Sequence, residues 1–171
     1  MSELSGQATV YASQVKGTID VGSYIEEKDG TQETSSVSSH KVNVSGLVGL
    51  MTGGKIFDCS TAVDITYRAK ENGNIYGITA LKNINNVDSI ADKLIDNTYA
   101  TGSLVTYIDT NMYAFTNGAS NAIIQNSYTI TKLDWSDYTR ESNIPNNSTI
   151  FSTFGIKDDT ITNYTLNKVY Y

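Results

Sequence analysis

The sequence predicts a mainly β protein, an antiparallel β-sandwich or barrel of about nine to ten short strands with one amphipathic helix at about 87–98. Three observations carry that expectation. Apolar residues alternate with polar ones along most of the chain, the period of a half-buried strand. Asn-Gly pairs fall between strand-like runs, where tight connections need positive φ. A single segment instead follows the 3.6-residue period of a helix.

In chain order, strands are expected at 8–12, 15–21 and 41–45. In the next run Val63, Ile65, Tyr67 and Ala69 share one face, with Asp64, Thr66 and Arg68 on the other. Lys70-Glu71-Asn72-Gly73-Asn74 then leads into Ile75–Asn83, so 61–83 reads as a hairpin. Asn117-Gly118 likewise separates Met112–Thr116 from Asn121–Gln125. Further strands are expected at 103–109, 127–135, 148–155 and 159–170. The helix rests on Val87, Ile90, Ala91, Leu94 and Ile95, which form one apolar stripe, with Asp92, Lys93 and Asp96 facing water. Asn85 or Asn86 would cap it, and Asp88 would sit in its first turn, where the helix dipole favours a carboxylate.

One domain is expected over residues 1–171, interrupted by a polar excursion at 26–40. Its segment Glu26–His40 holds one apolar residue, Val37, among fifteen. It reads either as a mobile loop or as a hairpin turning near Asp29-Gly30 and projecting from the body.

Composition narrows the function. The chain holds 12 Tyr but one Pro, one His and one Cys, and only 18% of its residues are charged. Its polarity is therefore hydroxyl and amide, which suits sheet faces and close protein contact. The net charge of −6 and scattered basic residues oppose sequence-specific nucleic-acid binding, which draws its affinity from clustered Lys and Arg. One Cys excludes an internal disulfide or a Cys-rich zinc site. The longest apolar stretch, Leu47–Met51, is too short for a membrane helix. No positive n-region or apolar h-region opens the chain, so manufacture in a cytoplasm is expected and the Asn-x-Ser/Thr sequons read as chance matches.

Candidate chemistry fails on inspection. Gly49–Lys55 matches the start of a phosphate-binding loop, but Ile56 stands where magnesium needs Ser or Thr, and a strand follows where a helix is needed. His40 and Cys59 have no spacing that makes a nucleophile–base pair. Asp134-Trp135-Ser136-Asp137 with Glu141 lacks a calcium-loop pattern and reads as a polar turn. No catalytic residue, cofactor or metal ligand is assigned, and enzyme activity is not expected.

Tyr107, Tyr113, Tyr128, Tyr138, Tyr164, Tyr170 and Tyr171 crowd the C-terminal half, and tyrosine suits subunit interfaces and sugar platforms alike. The ending Val169-Tyr170-Tyr171 would fray unless docked. The order of elements resembles tailed-phage tail-tube proteins, with Glu26–His40 in the place of the stacking arm and Val87–Asn97 in that of the flanking helix. The resemblance implies a self-assembling virion structural protein (tail tube, baseplate, or capsid decoration or attachment subunit), whose partners are copies of itself and other virion proteins. Asp29, Gly30, Tyr164, Tyr170 and Tyr171 are then the candidate interface residues. The alternative is a carbohydrate-binding, lectin-like module that uses Tyr and Trp135 faces on a glycan.

Overall fold

A computed structural model describes residues 1–22, 25–28, 31–34, 42–68, 73–82, 93–106, 110–118, 121–135, 151–152 and 165–170, with the backbone alone at 25–28, 31–34, 135 and 151–152. The chain winds in successive coils, each laying a short strand on its predecessor. Coil 1 holds β1 (Glu3–Leu4), β2 (Thr9–Tyr11) and β3 (Gln14–Gly22). The strands β4 (Ile25–Lys28) and β5 (Thr31–Thr34) come next. Coil 2 holds β6 (Asn43–Ser45), β7 (Val48–Met51), β8 (Gly54–Phe57) and β9 (Ser60–Arg68). Coil 3 holds β10 (Asn74–Tyr76), β11 (Thr79–Leu81), β12 (Lys93–Asp96) and β13 (Tyr99–Thr106). Coil 4 holds β14 (Asn111–Tyr113), β15 (Ala122–Gln125), β16 (Tyr128–Thr129) and β17 (Lys132–Trp135). Coil 5 contributes β18 (Phe151–Ser152) and β19 (Thr165–Asn167).

Stacking these coils makes four walls, ordered β1-β7-β11, β2-β8-β12-β15-β19, β3-β9-β13-β16 and β6-β10-β14-β18, with β17 also pairing β13. Every ladder in the walls is parallel, so the described residues form a parallel β-solenoid. The β4–β5 pair alone is antiparallel, with Ile25 opposite Thr34 and Lys28 opposite Thr31.

Parallel register sends like residues into columns along the axis. Ile56, Ile95 and Ile124 stack inside one wall, each at most 1% exposed. Ile19, Ile65, Leu104 and Leu133 stack inside another. Burying such a side chain completely is worth about 1.5–3 kcal/mol, so the columns dominate stability. The corner between the second and third walls repeats one conformation in all five coils. Ala12, Asp58, Asn97, Asn126 and Lys168 take φ between 44° and 55°, and in the three middle coils the residue is the Asp or Asn that tolerates this region best.

The expected antiparallel sandwich or barrel is thus corrected to a parallel solenoid. Alternation implied antiparallel pairing because parallel sheets are usually covered on both faces by helices. A solenoid wall has the coil interior on one face and water on the other, so it alternates as an antiparallel sheet does. The two expected hairpins are corrected for the same reason. Neither β9 and β10 nor β14 and β15 share a wall, so neither pair forms a hairpin.

The helix over 87–98 is corrected too, and no helix occurs among the described residues. Lys93–Asp96 is the strand β12, bonded on both sides to β8 and β15. Lys93, expected to face water, is 1% exposed. Two complete ladders outweigh a local apolar period. Residues 87–92 of that segment lie outside the described residues.

Candidate assembly surface

The third wall is the longest, and its first strand lies at the start of the stack. β3 pairs with β9 over nine residues, from Gln14 opposite Ser60 to Gly22 opposite Arg68. Its other edge meets no strand among the described residues. The direction of its backbone groups follows from one bond. The Ser60 N–H donates to the Ser13 carbonyl at 2.9 Å. A parallel ladder continued from there bonds Val15, Gly17, Ile19 and Val21 to β9. The N–H and C=O groups of Gln14, Lys16, Thr18, Asp20 and Gly22 therefore point along the open edge.

Side chains divide the same way. Val15, Ile19 and Val21 pack against the core but are only half-buried, because no described coil covers their far side. Gln14, Lys16, Thr18 and Asp20 are exposed on the outer face. The Arg68 guanidinium donates to Asp20 at 3.4 Å, and further along the face the Ser103 hydroxyl donates to Asp64 at 2.7 Å. Lys132 pairs with Asp134 at 3.2 Å. Such exposed pairs contribute little stability. They make a flat, wet, mixed-charge face.

Amide and aromatic ladders fix the coils to one another. Asn74 donates to Asn43 and accepts from Asn111, both at 2.8 Å. At the positive-φ corner Asn97 donates to Asp58 at 2.6 Å, while Gln125 and Asn126 both donate to Asp96 at 2.8 Å. Tyr76 stacks on Tyr113 with ring centroids 5.0 Å apart, and Tyr99 on Tyr128 at 5.1 Å, each pair within 5° of parallel. Burial, and then the neighbouring Tyr113, push the Tyr76 phenol well above its usual range; burial raises Tyr113 as well. Each stacked ring covers one face of its neighbour.

Of the candidate interface residues, Tyr170 is the one described. The residue is 65% exposed. Its N–H donates to the Ser127 carbonyl at 3.1 Å, and its own carbonyl accepts from the Thr129 N–H at 3.0 Å. Asp29, Gly30, Tyr164 and Tyr171 lie outside the described residues, as do His40, Ser136, Asp137 and Glu141. The phosphate-loop match at Gly49–Lys55 spans β7, a corner and the start of β8. Cys59 is buried, its thiol 3.2 Å from the Phe57 carbonyl, and burial raises its pKa. Among the described residues no group of His, Cys, Asp and Glu is placed to hold a metal ion.

The signal that sequence reading missed is an internal repeat. Asn43-Val44-Ser45-Gly46-Leu47, Asn74-Ile75-Tyr76-Gly77-Ile78 and Asn111-Met112-Tyr113-Ala114-Phe115 recur at spacings of 31 and 37 residues. Asp58-Cys59-Ser60, Asn97-Thr98-Tyr99 and Asn126-Ser127-Tyr128 recur too, at spacings of 39 and 29 residues. Repeats at such periods are the mark of a solenoid. Comparison with protein-family models, curated proteins and solved structures finds no match.

Proposed function

We propose that this chain is a structural protein of a virus particle, a rigid solenoid that works by associating with copies of itself and with companion virion proteins. One observation carries the reading: the nine-residue strand β3 has an open edge among the described residues, with half-buried Val15, Ile19 and Val21 behind it. An unpaired edge of that length is a template for another strand, and β3 is neither short nor interrupted by proline. The hydroxyl- and amide-rich composition agrees with a role in protein contact.

Within the virion class the tail-tube option loses two of its supports, the barrel and the helix at 87–97, and keeps the third, the arm at Glu26–His40, where β4 and β5 pair antiparallel. Baseplate, decoration and attachment roles remain. Sedimentation velocity and negative-stain microscopy of the purified chain test the reading. An associated fraction that rises with concentration is expected, and a strict monomer at the highest attainable concentration overturns self-association. Terminase or portal genes beside its own are expected for the virion setting, which a wholly metabolic neighbourhood overturns.

A second reading, glycan binding, is favoured by one observation. Tyr128 and Tyr170 stand 41% and 65% exposed beside the amide ridge of Asn97 and Asn126. A glycan array separates the two, because sugar binding by a lone monomer is expected only of this second reading.

A further inference from the structure

We infer that the occupant of the β3 edge is the β3 strand of a second copy, paired antiparallel about a twofold axis through Thr18. This deepens the self-association reading and rests on it. The case comes from the internal symmetry of the strand. In a pairing centred on Thr18, Gln14 lies opposite the partner's Gly22, Lys16 opposite the partner's Asp20, and Thr18 opposite the partner's Thr18. Each of these residues directs its backbone N–H and C=O to the open edge, so each opposed pair can exchange two hydrogen bonds. A register shifted by one residue would oppose groups that point away from the edge.

Side chains agree with that register on both faces. Outside, the Lys16 ammonium meets the partner's Asp20, and symmetry repeats the contact, so one strand supplies two opposite-charge pairs. The Arg68 guanidinium already at Asp20 would brace the carboxylate from its other side. Inside, half-buried Val15 meets the partner's Val21, and Ile19 meets the partner's Gly17. Nothing lies within 4 Å of where a Gly17 side chain would begin, so there is open space beside it for the isoleucine. A twofold axis perpendicular to the wall keeps inner faces inward, and the two cores become continuous. Such an isologous contact closes at two subunits and leaves no further copy of the edge exposed.

Two charge reversals on the full chain test this. Lys16→Asp places a carboxylate against the partner's Asp20 at both symmetric contacts, and Asp20→Lys does the same with two cations. Each variant alone should weaken dimerisation by roughly tenfold or more at low salt, with the difference shrinking as salt is raised. Mixing the two variants in equal amounts should restore dimers as heterodimers, because both contacts then join opposite charges. Sedimentation velocity reads all three states, and circular dichroism confirms that the variants are folded. If Asp20→Lys fails to fold, Lys16→Asp with its salt dependence carries the test alone. A wild-type dimer that tolerates both reversals overturns the Thr18 register but leaves self-association standing. A wild-type chain that stays monomeric overturns both.

Discussion

Replacing Asn74 by Ala removes the middle rung of the amide ladder and tests whether inter-coil side-chain bonds hold the solenoid in register. Asn74 makes two of these bonds, one exposed bond to Asn43 and one half-buried bond from Asn111, each 2.8 Å long. A net hydrogen bond contributes about 0.5–1.5 kcal/mol, with exposed bonds near the lower end. The exposed bond is therefore taken as about 0.5 kcal/mol and the half-buried one as about 1. Asn74→Ala should cost about 1.5 kcal/mol, Asn43→Ala about 0.5 and Asn111→Ala about 1. The sum rule is sharper than any single value: the middle substitution should cost what the two outer ones cost together. Urea titration followed by far-UV circular dichroism measures this, comparing midpoints only where the slope m is unchanged. In thermal melts the same loss should lower Tm by roughly 3–6 °C for a domain of this size. Asn74→Asp gives a second check, since a carboxylate still accepts from Asn111 but cannot donate to Asn43. If Asn74→Ala is no more costly than Asn43→Ala, the ladder is incidental and the apolar columns alone set the register.

Two further outcomes follow from the same geometry. Gly77→Ala would bring a new Cβ against the Ala114 carbonyl and to 3.1 Å from the Ala100 Cβ, so a loss of about 1–3 kcal/mol is expected in the same titration; a shift below about 0.5 kcal/mol contradicts the packing. The raised phenols of Tyr76 and Tyr113 predict alkaline instability: the unfolded chain gives up these protons near pH 10 while the folded chain holds them. Their contribution is therefore fully present below about pH 10 and falls as pH rises further, and Tyr76→Phe should flatten the decline. An unchanged slope in that variant refutes the assignment.

How much of this was legible in the sequence depends on the length scale. Strand content was legible because Val63, Ile65 and Tyr67 alternate with Asp64, Thr66 and Arg68 whichever way the neighbouring strand runs. Strand direction was not, because alternation reports only that one face is wet. The segment at 87–98 misled because Leu94 and Ile95 complete a helical stripe locally, while Ile95 belongs to a column with Ile56 and Ile124 that lie 39 and 29 residues away in the ladder pairs. Only the recurrence of Asn43, Asn74 and Asn111 with their following residues carries that long-range information. The β3 edge was hidden for another reason. A strand at 15–21 was expected, but whether it lies at an edge is decided by the stacking order of coils, which no local pattern encodes.

The stacking order also decides which substitutions report on folding and which on association. In a solenoid each coil touches only its neighbours, so stability is close to a sum of coil terms and interface terms. A side chain in coil 2 or coil 3 acts across two interfaces, as Asn74 does with its two bonds. A side chain on the open side of coil 1 acts across one, and the side chain of outward-facing Lys16 makes no hydrogen bond or ion pair to the coil beneath it among the described residues. Charge reversal at Lys16 should therefore leave the Tm of dilute, monomeric protein within about 1 °C, as expected of surface substitutions away from buried or strained features, while changing the dimer constant by roughly tenfold. The two quantities must separate if β3 is an interface. Should Tm and association fall together, Lys16 holds coil 1 onto coil 2, and the edge is part of the fold rather than its meeting point with another subunit.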